Sequence, residues 1–157
     1  MEVKRLLFSG RMLDVNYGAG KNPTPIAIAA KRGDKEMVQV LLDLGADVEK
    51  GDISGVTALH CAAEYGSLEV VKLLLDGGAK LNKKTLVSGF TPLHHAIMPY
   101  SKYSIVGKKD HLQVIKLLLD RGANPTLKDR FGKTPLDSLC GEMHHKVTQI
   151  MTERGWL

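Results

Sequence analysis

Residues 57–75 read TALHCAAEYGSLEVVKLLL, and this stretch decides the fold. Thr57 is a good N-cap because its hydroxyl can accept a free amide of the first helical turn. The apolar residues that follow recur at i, i+3 and i+4, which indicates a short helix with one apolar face. Gly66 suits the left-handed end of that helix, and Ser67 caps a second helix that ends at Gly77. The two apolar stripes are formed by Leu59, Ala62, Ala63, Leu68, Val71, Leu74 and Leu75.

The opening phrase of this stretch returns along the chain. It reads TPIA at 24–27, TALH at 57–60, TPLH at 91–94 and TPLD at 134–137, at spacings of 33, 34 and 43 residues. A period near this length indicates stacked helical units, since one helix pair cannot bury its apolar face alone. Such solenoids offer a long surface to a partner and seldom build a reaction pocket.

These phrases, the helix at 68–75 and the Gly-Ala turns at 45–48, 78–82 and 122–124 resemble the ankyrin-repeat family. The resemblance implies an all-α ankyrin-repeat solenoid, in which each repeat is a helix–turn–helix with a protruding hairpin loop and the repeats curve into a concave groove. We predict one domain over residues 1–157, with three full repeats and an atypical capping unit at each end. The units are a truncated N-terminal unit at 1–23, repeats at 24–56, 57–90 and 91–133, and a C-terminal capping repeat at 134–157.

The third repeat departs from the pattern of the second. The distance from Thr91 to the second-helix stripe at Leu112 is ten residues longer than in the repeat before it, which places an insertion of about ten residues near 98–110. Insertions in repeat proteins form loops, often on the binding face. This one carries Tyr100 and Tyr103, and tyrosine is typical of interfaces. The alternative is a tolerated surface loop whose aromatic rings fold back onto the stack, because long loops cost little.

The net charge of +5 is concentrated in the third repeat. Residues 91–133 hold eight Lys or Arg and three Asp, whereas the other segments sum to zero. Three interpretations stay open: a solvated basic face, a surface for an acidic partner protein, and a nucleic-acid contact. Phosphate binding usually needs a basic stripe along the whole footprint, and one repeat is short. The basic patch of the insertion is Lys102, Lys108 and Lys109, to which the nucleic-acid alternative adds Arg130 and Lys133.

The resemblance also implies where a partner would bind. In ankyrin-like repeats, partner contacts come mostly from the residues that flank the hairpin glycine and from the end of the first helix. A cluster of exposed apolar side chains at such positions usually marks an interaction site. The alternative is that Phe90 and Phe131 pack between neighbouring hairpins. The predicted partner-binding residues outside the insertion are Ile53, Ser54, Val56, Glu64, Tyr65, Val87, Ser88, Phe90, Met98, Arg130, Phe131 and Lys133.

Two histidines, His60 and His94, occupy the fourth position of the repeated phrase. The resemblance implies a structural role for both, bonding the backbone of the neighbouring hairpin. The adjacent pair His94 and His95 does not predict a metal site, because neighbouring residues on a helix diverge by about 100° and structural zinc wants four ligands. We predict no metal, no cofactor and, in the absence of a nucleophile–base set with supporting context, no catalysis.

The cysteines and the lengths of the apolar runs indicate where in the cell the protein is located. Cys61 and Cys140 fall in predicted first helices two repeats apart, which predicts reduced thiols and no disulfide. No apolar run approaches the ~18 residues that span a bilayer, so we expect no membrane contact and a cytoplasmic or nuclear monomer. Met1 and the polar ends favour a complete protein over a fragment. Asn82 resembles sites of asparagine hydroxylation in some ankyrin repeats.

These features predict a non-catalytic protein–protein interaction module that acts as an inhibitor, scaffold or adaptor. It would bind through the concave groove, the hairpin tips and the insertion of the third repeat. The expected partner is another protein with an acidic surface. A nucleic-acid or nucleoprotein contact through the basic third repeat is the alternative.

Overall fold

The helices come in pairs, as the apolar stripes predict. The computed structural model describes residues 14–17, 22–98, 108–139 and 141–156. No strand occurs in these ranges, and the predicted all-α repeat solenoid is confirmed. The helices are α1 (Pro25–Arg32), α2 (Lys35–Asp43), α3 (Ala58–Glu64), α4 (Leu68–Asp76), α5 (Pro92–Ile97), α6 (Lys108–Asp120) and α7 (Gly141–Glu153), with a 3-10 turn at Pro135–Ser138 before α7.

The repeated threonine starts the first helix of each repeat. Thr24 Oγ1 accepts the amide of Ala27 at 3.3 Å, and Thr91 Oγ1 accepts the amide of His94 at 3.4 Å. A proline follows the threonine in α1 and α5, where its missing N–H leaves nothing unsatisfied. The second helix α2 has an acidic cap instead, since Asp34 Oδ1 accepts an amide of its first turn. These caps fix the residue at which each of these helices begins.

The core lies between two helical layers. The first helices α1, α3 and α5 pack side by side, and the second helices α2, α4 and α6 form a layer behind them. Ala58, Ala62 and Ala63 are fully buried in α3, and their small side chains let this helix approach both of its neighbours closely. Leu59 from the first layer and Leu74 from the second fill the space between the layers.

The third repeat differs from the prediction at the end of its insertion. The first helix α5 has only six residues and ends before Met98, whose ψ of 130° is extended. A proline follows Met98 in the sequence, and a residue before proline is biased away from the helical region. The second helix α6 begins at Lys108 and has 13 residues, against nine in α4. The last three residues of the predicted insertion at 98–110 therefore belong to a helix and not to a loop.

The capping repeat has no full first helix. The sequence predicts one with an apolar stripe of Leu136, Leu139 and Cys140, but the structure has a four-residue 3-10 turn, and Leu139 is extended. Cys140 lies outside the described residues. Because α7 already begins at Gly141, the chain has no length for a longer helix. The turn is closed by Asp137, whose Oδ2 accepts the Thr134 amide at 2.6 Å.

Within the residues that the structure describes, three hairpins project from the stack: hairpin 1 (52–56), hairpin 2 (85–90) and hairpin 3 (129–133). Each contains a glycine with positive φ, at 75° in Gly55, 71° in Gly89 and 77° in Gly132. Neighbouring hairpins are joined through their backbones. The Leu86 amide donates to the Ser54 carbonyl at 2.7 Å, and the Arg130 amide donates to the Ser88 carbonyl at 2.9 Å. The hairpins thus form one continuous ridge.

The variant Gly55→Ala measures how much the hydrogen-bonded ridge contributes to the free energy of unfolding. A Cβ at Gly55 would lie 2.8 Å from Leu86 Cγ and 3.0 Å from the Leu86 amide nitrogen, whereas one at Gly132 meets no described atom within 4 Å. Both Gly→Ala changes force a side chain into the left-handed region, at about 1–2 kcal/mol. We expect Gly55→Ala to lose roughly 1–2 kcal/mol more than Gly132→Ala in urea unfolding, because it also forces apart hydrogen-bonded hairpins. Equal losses in the two variants would show that the ridge adds nothing to stability.

Candidate functional site

A groove runs between hairpins 1 and 2 and the ends of α3 and α5. It encloses a cavity of about 270 Å³. Seven of the predicted partner-binding residues line this cavity, namely Ser54, Val56, Glu64, Val87, Ser88, Phe90 and Met98. Two lining residues, Thr85 and His95, were not predicted. The cavity is therefore built from two hairpins and two first helices of consecutive repeats.

Three lining residues of the groove stand at fixed positions of the repeated phrase. Glu64 and Met98 each follow the threonine of their repeat by seven residues, and His95 follows Thr91 by four. His95 was not among the predicted partner-binding residues, although the register of the phrase carries the signal for it. At the end of α3, the Lys31 ammonium lies 5.3 Å from the ring centroid of Tyr65.

Glu64 and His95 form a polar pair in the cavity. His95 Nδ1 lies 3.2 Å from Glu64 Oε2, and the Glu64 side chain is 35% exposed. The hydrogen bond from His95 holds the pKa of the Glu64 carboxyl below its usual value, so the group is ionised at neutral pH. The His95 ring is in turn held edge-on between His60, at 5.1 Å between ring centroids, and Phe90, at 6.0 Å.

The two predicted phenylalanine anchors differ in their surroundings. Phe90 is partly buried, and its ring stacks on His94 with 5.5 Å between centroids. Phe131 is 74% exposed at the tip of hairpin 3. Phe90 therefore packs on the first helix of the third repeat, whereas the ring of Phe131 is exposed to solvent.

Exposed apolar side chains continue along the ridge of hairpin tips. Ile53 is 63% exposed, Leu86 66% and Val87 57%, and Phe131 ends the row. Leu86 was not predicted, because the stretch before Gly89 reads as a polar connection. Hairpin 2 is one residue longer than its neighbours. The sequence indicates this additional residue, because the second and third phrases are 34 residues apart and the first and second are 33 apart.

The described basic side chains of the third repeat take part in different contacts. Lys102 lies outside the described residues, together with Tyr100 and Tyr103, and only the backbone of Lys108 and Lys109 is described, in the first turn of α6. Among the described side chains, Arg121 pairs with Asp76 at 2.9 Å and Arg130 Nη2 donates to the Leu86 carbonyl at 2.7 Å. A smaller group of exposed lysines remains beside hairpin 3: Lys84, Lys128 and Lys133.

His60 and His94 link each repeat to the hairpin that follows it. His60 Nδ1 accepts the Thr57 amide at 3.2 Å, and Nε2 donates to the carbonyls of Lys83 and Phe90 at 3.0 and 3.2 Å. His94 Nε2 donates to the Lys133 carbonyl at 3.3 Å. Burial lowers the pKa of His60 to about 3, so its imidazole is neutral at physiological pH.

The described part of the chain shows neither a reactive thiol nor a cluster of metal ligands. Burial raises the pKa of the Cys61 thiol to about 12, so it is not a nucleophile at neutral pH. In residues 14–17, 22–98, 108–139 and 141–156, no three His, Cys, Asp or Glu side chains are grouped to hold a metal ion. None of the helices described is long and apolar enough to cross a bilayer.

Asn82, whose Oδ1 accepts the Asn124 amide at 2.9 Å, stays a predicted modification site.

Comparison with protein families decides the classification. Residues 2–85 match the family model described as ankyrin repeats (3 copies), and residues 88–130 match that of the ankyrin repeat. The chain belongs to the ankyrin-repeat family. Ankyrin repeats generally mediate protein–protein interaction and are generally non-catalytic, and the predicted family is confirmed.

Similar proteins place these ankyrin repeats in several settings. The chain is 33% identical over 138 residues to a mitochondrial disaggregase of Bos taurus, and the match covers 87% of this chain and 19% of that protein. It is 37% identical over 142 residues to the E3 ubiquitin-protein ligase hecd-1 of Caenorhabditis elegans, a match that covers 88% of this chain and 4% of that protein. It is 45% identical over 109 residues to the human ankyrin repeat and SOCS box protein 3, a match that covers 69% of this chain and 19% of that protein. The chain thus spans about a fifth or less of these relatives.

Proposed function

We propose that this chain is a non-catalytic adaptor, scaffold or inhibitor that binds a partner protein through the groove and the ridge of hairpin tips. One observation carries the proposal. Four apolar side chains, each more than half exposed, lie at the tips of three hairpins that are hydrogen-bonded into one ridge. Exposed apolar side chains in such a row usually mark an interaction site. Because hydrogen bonds already join the hairpins before binding, less conformational entropy is lost when a partner docks than with separate loops.

The partner that we propose carries acidic groups. Lys84, Lys128 and Lys133 are exposed around hairpin 3, beside the apolar ring of Phe131. Complementary charge raises the rate of association and fixes the orientation of a complex. The buried Cys61 thiol suits a reducing compartment, and we place the protein in the cytoplasm or nucleus as a monomer.

A triple variant tests this proposal. Tyr65→Ala, Val87→Ala and Phe131→Ala together remove exposed apolar area from the groove edge and two hairpins, and they leave out Phe90 because its ring packs on His94. Such anchors contribute about 1–2 kcal/mol each to an interface. We therefore expect the affinity for a partner recovered by crosslinking to fall at least ~10-fold, with helicity and urea midpoint close to the wild-type values.

The control removes exposed apolar area elsewhere. Tyr17→Ala with Leu44→Ala changes two exposed side chains that belong to neither the groove nor the hairpins, and binding should persist. Binding should also survive a rise from about 50 to 200 mM salt, a change that weakens phosphate-directed contacts about 10³-fold or more. Recovery of nucleic acid that salt releases, with the triple variant unaffected, would reject the proposal in favour of the electrostatic alternative.

A further inference from the structure

The groove cavity has one feature that a purely apolar anchor site would not have. Its walls are apolar at Val56, Val87 and Met98, but the Glu64 carboxylate stands in it, partly exposed. We infer that the cavity accepts a basic side chain of the partner, best an arginine, and that Glu64 is its acceptor. This inference rests on the proposed function and adds the chemistry of the anchor residue.

The position of Glu64 is fixed by the surrounding chain. His95 Nδ1 holds one carboxylate oxygen at 3.2 Å, and His111 Nε2 donates to the Glu64 backbone carbonyl at 2.8 Å. The Lys31 ammonium lies over the ring of Tyr65, 5.3 Å from its centroid. Within the described ranges, no lysine or arginine is paired with Glu64. Lys31 attracts the Glu64 carboxylate from beyond ion-pair distance, so an arginine of the partner can still form a direct ion pair with it.

The size and walls of the cavity suit a long basic side chain. A cavity of about 270 Å³ has room for a long side chain. The methylenes of an arginine can pack on the apolar walls while its guanidinium reaches the carboxylate. The partly buried ring of Phe90 adds an aromatic surface of the kind on which guanidinium groups stack. The hydroxyls of Ser54 and Ser88 line the same cavity and can accept its remaining N–H groups.

Other anchors fit the cavity less well. An acidic side chain would meet the charge of Glu64. An apolar side chain would displace water from a carboxylate without giving it a new hydrogen bond, which is unfavourable. The charge also changes sign along the groove, from Glu64 at the cavity to Lys84, Lys128 and Lys133 at hairpin 3. The partner segment should therefore carry a basic anchor at one end and acidic residues toward hairpin 3, which sets its direction of binding.

A random-peptide phage library, selected on the immobilised protein, tests this inference. We expect selection on the wild type to enrich peptides with an arginine or lysine. Selection on Glu64→Gln should show no such enrichment. The matched control is Glu69→Gln, the same change at an exposed carboxylate of α4 that pairs with Lys72, and it should select as the wild type does. Replacing the arginine of a selected peptide by citrulline keeps its shape and removes its charge. That replacement should weaken binding to the wild type about 10-fold and leave binding to Glu64→Gln nearly unchanged.

The outcomes separate the two proposals. If selected peptides require Tyr65, Val87 and Phe131 but need no basic residue, the inference is wrong and the proposed function stands. If the citrulline replacement weakens binding equally in the wild type and in Glu64→Gln, Glu64 is not the acceptor. If no peptide depends on the groove or the hairpin ridge, both proposals fail. The citrulline comparison on the wild type needs no variant of the protein, so equal affinities of the arginine and citrulline peptides would overturn the inference even if Glu64→Gln unfolds.

Discussion

Replacing His60 by alanine is expected to lower the free energy of unfolding by about 3–4 kcal/mol. The imidazole is fully buried, and it bonds to the Thr57 amide and to the carbonyls of Lys83 and Phe90. Removing it leaves buried backbone groups without partners, at about 1–3 kcal/mol each where no water replaces them. It also leaves a cavity between the second repeat and hairpin 2, which adds to the loss.

The control for this prediction is His145→Ala, which truncates an exposed histidine of α7. It should change the free energy of unfolding by less than about 0.5 kcal/mol. Urea unfolding followed by circular dichroism at pH 7 measures both variants. A loss under about 1 kcal/mol for His60→Ala would show that His60 does not hold hairpin 2 to the second repeat.

The sequence predicts the fold because each repeat encodes its own helices. The threonine caps, the alanine face of α3 and the leucine stripe of α4 are local patterns, and the other full repeats show similar ones. The exceptions are also local in cause. A proline after Met98 ends α5 early, and the start of α7 at Gly141 leaves no room for a longer helix before it. Neither boundary can be read from the repeat period alone.

The site could be predicted only in part, because its contacts join different repeats. The hairpin and helix-end positions identify seven of the cavity's lining residues, but they do not show that Phe90 turns its ring onto His94. The pair of Glu64 and His95 joins residues 31 positions apart, and it depends on how far α5 is shifted along α3. Leu86 was missed because its exposure follows from one additional residue in hairpin 2.

The stability of the protein is expected to fall steeply between pH 6 and pH 4. His60 has a pKa of about 3 in the folded state, against 6.5 for an unperturbed histidine, and burial is the main cause. The unfolded chain therefore binds a proton below pH 6.5 that the folded chain does not take up. Stability is fully present above pH 6.5 and is lost as the pH falls toward 3, at up to about 1.4 kcal/mol per pH unit for this residue.

Two other groups change stability in the same direction. Burial also lowers the pKa of His94, which adds to the loss of stability below pH 6.5. The lowered pKa of Glu64 adds a further loss once the pH falls below its unperturbed value of 4.5.

Urea unfolding at pH 7, 6, 5 and 4 measures this loss. His60 alone should lower the free energy of unfolding by about 2–3 kcal/mol between pH 6 and pH 4. His60→Ala supplies the internal control, because it removes the group that titrates. Its stability should start lower at pH 7 and fall with a smaller slope than the wild type, so that the two curves approach each other in acid. Parallel curves would mean that His60 is not the group that takes up the proton on unfolding.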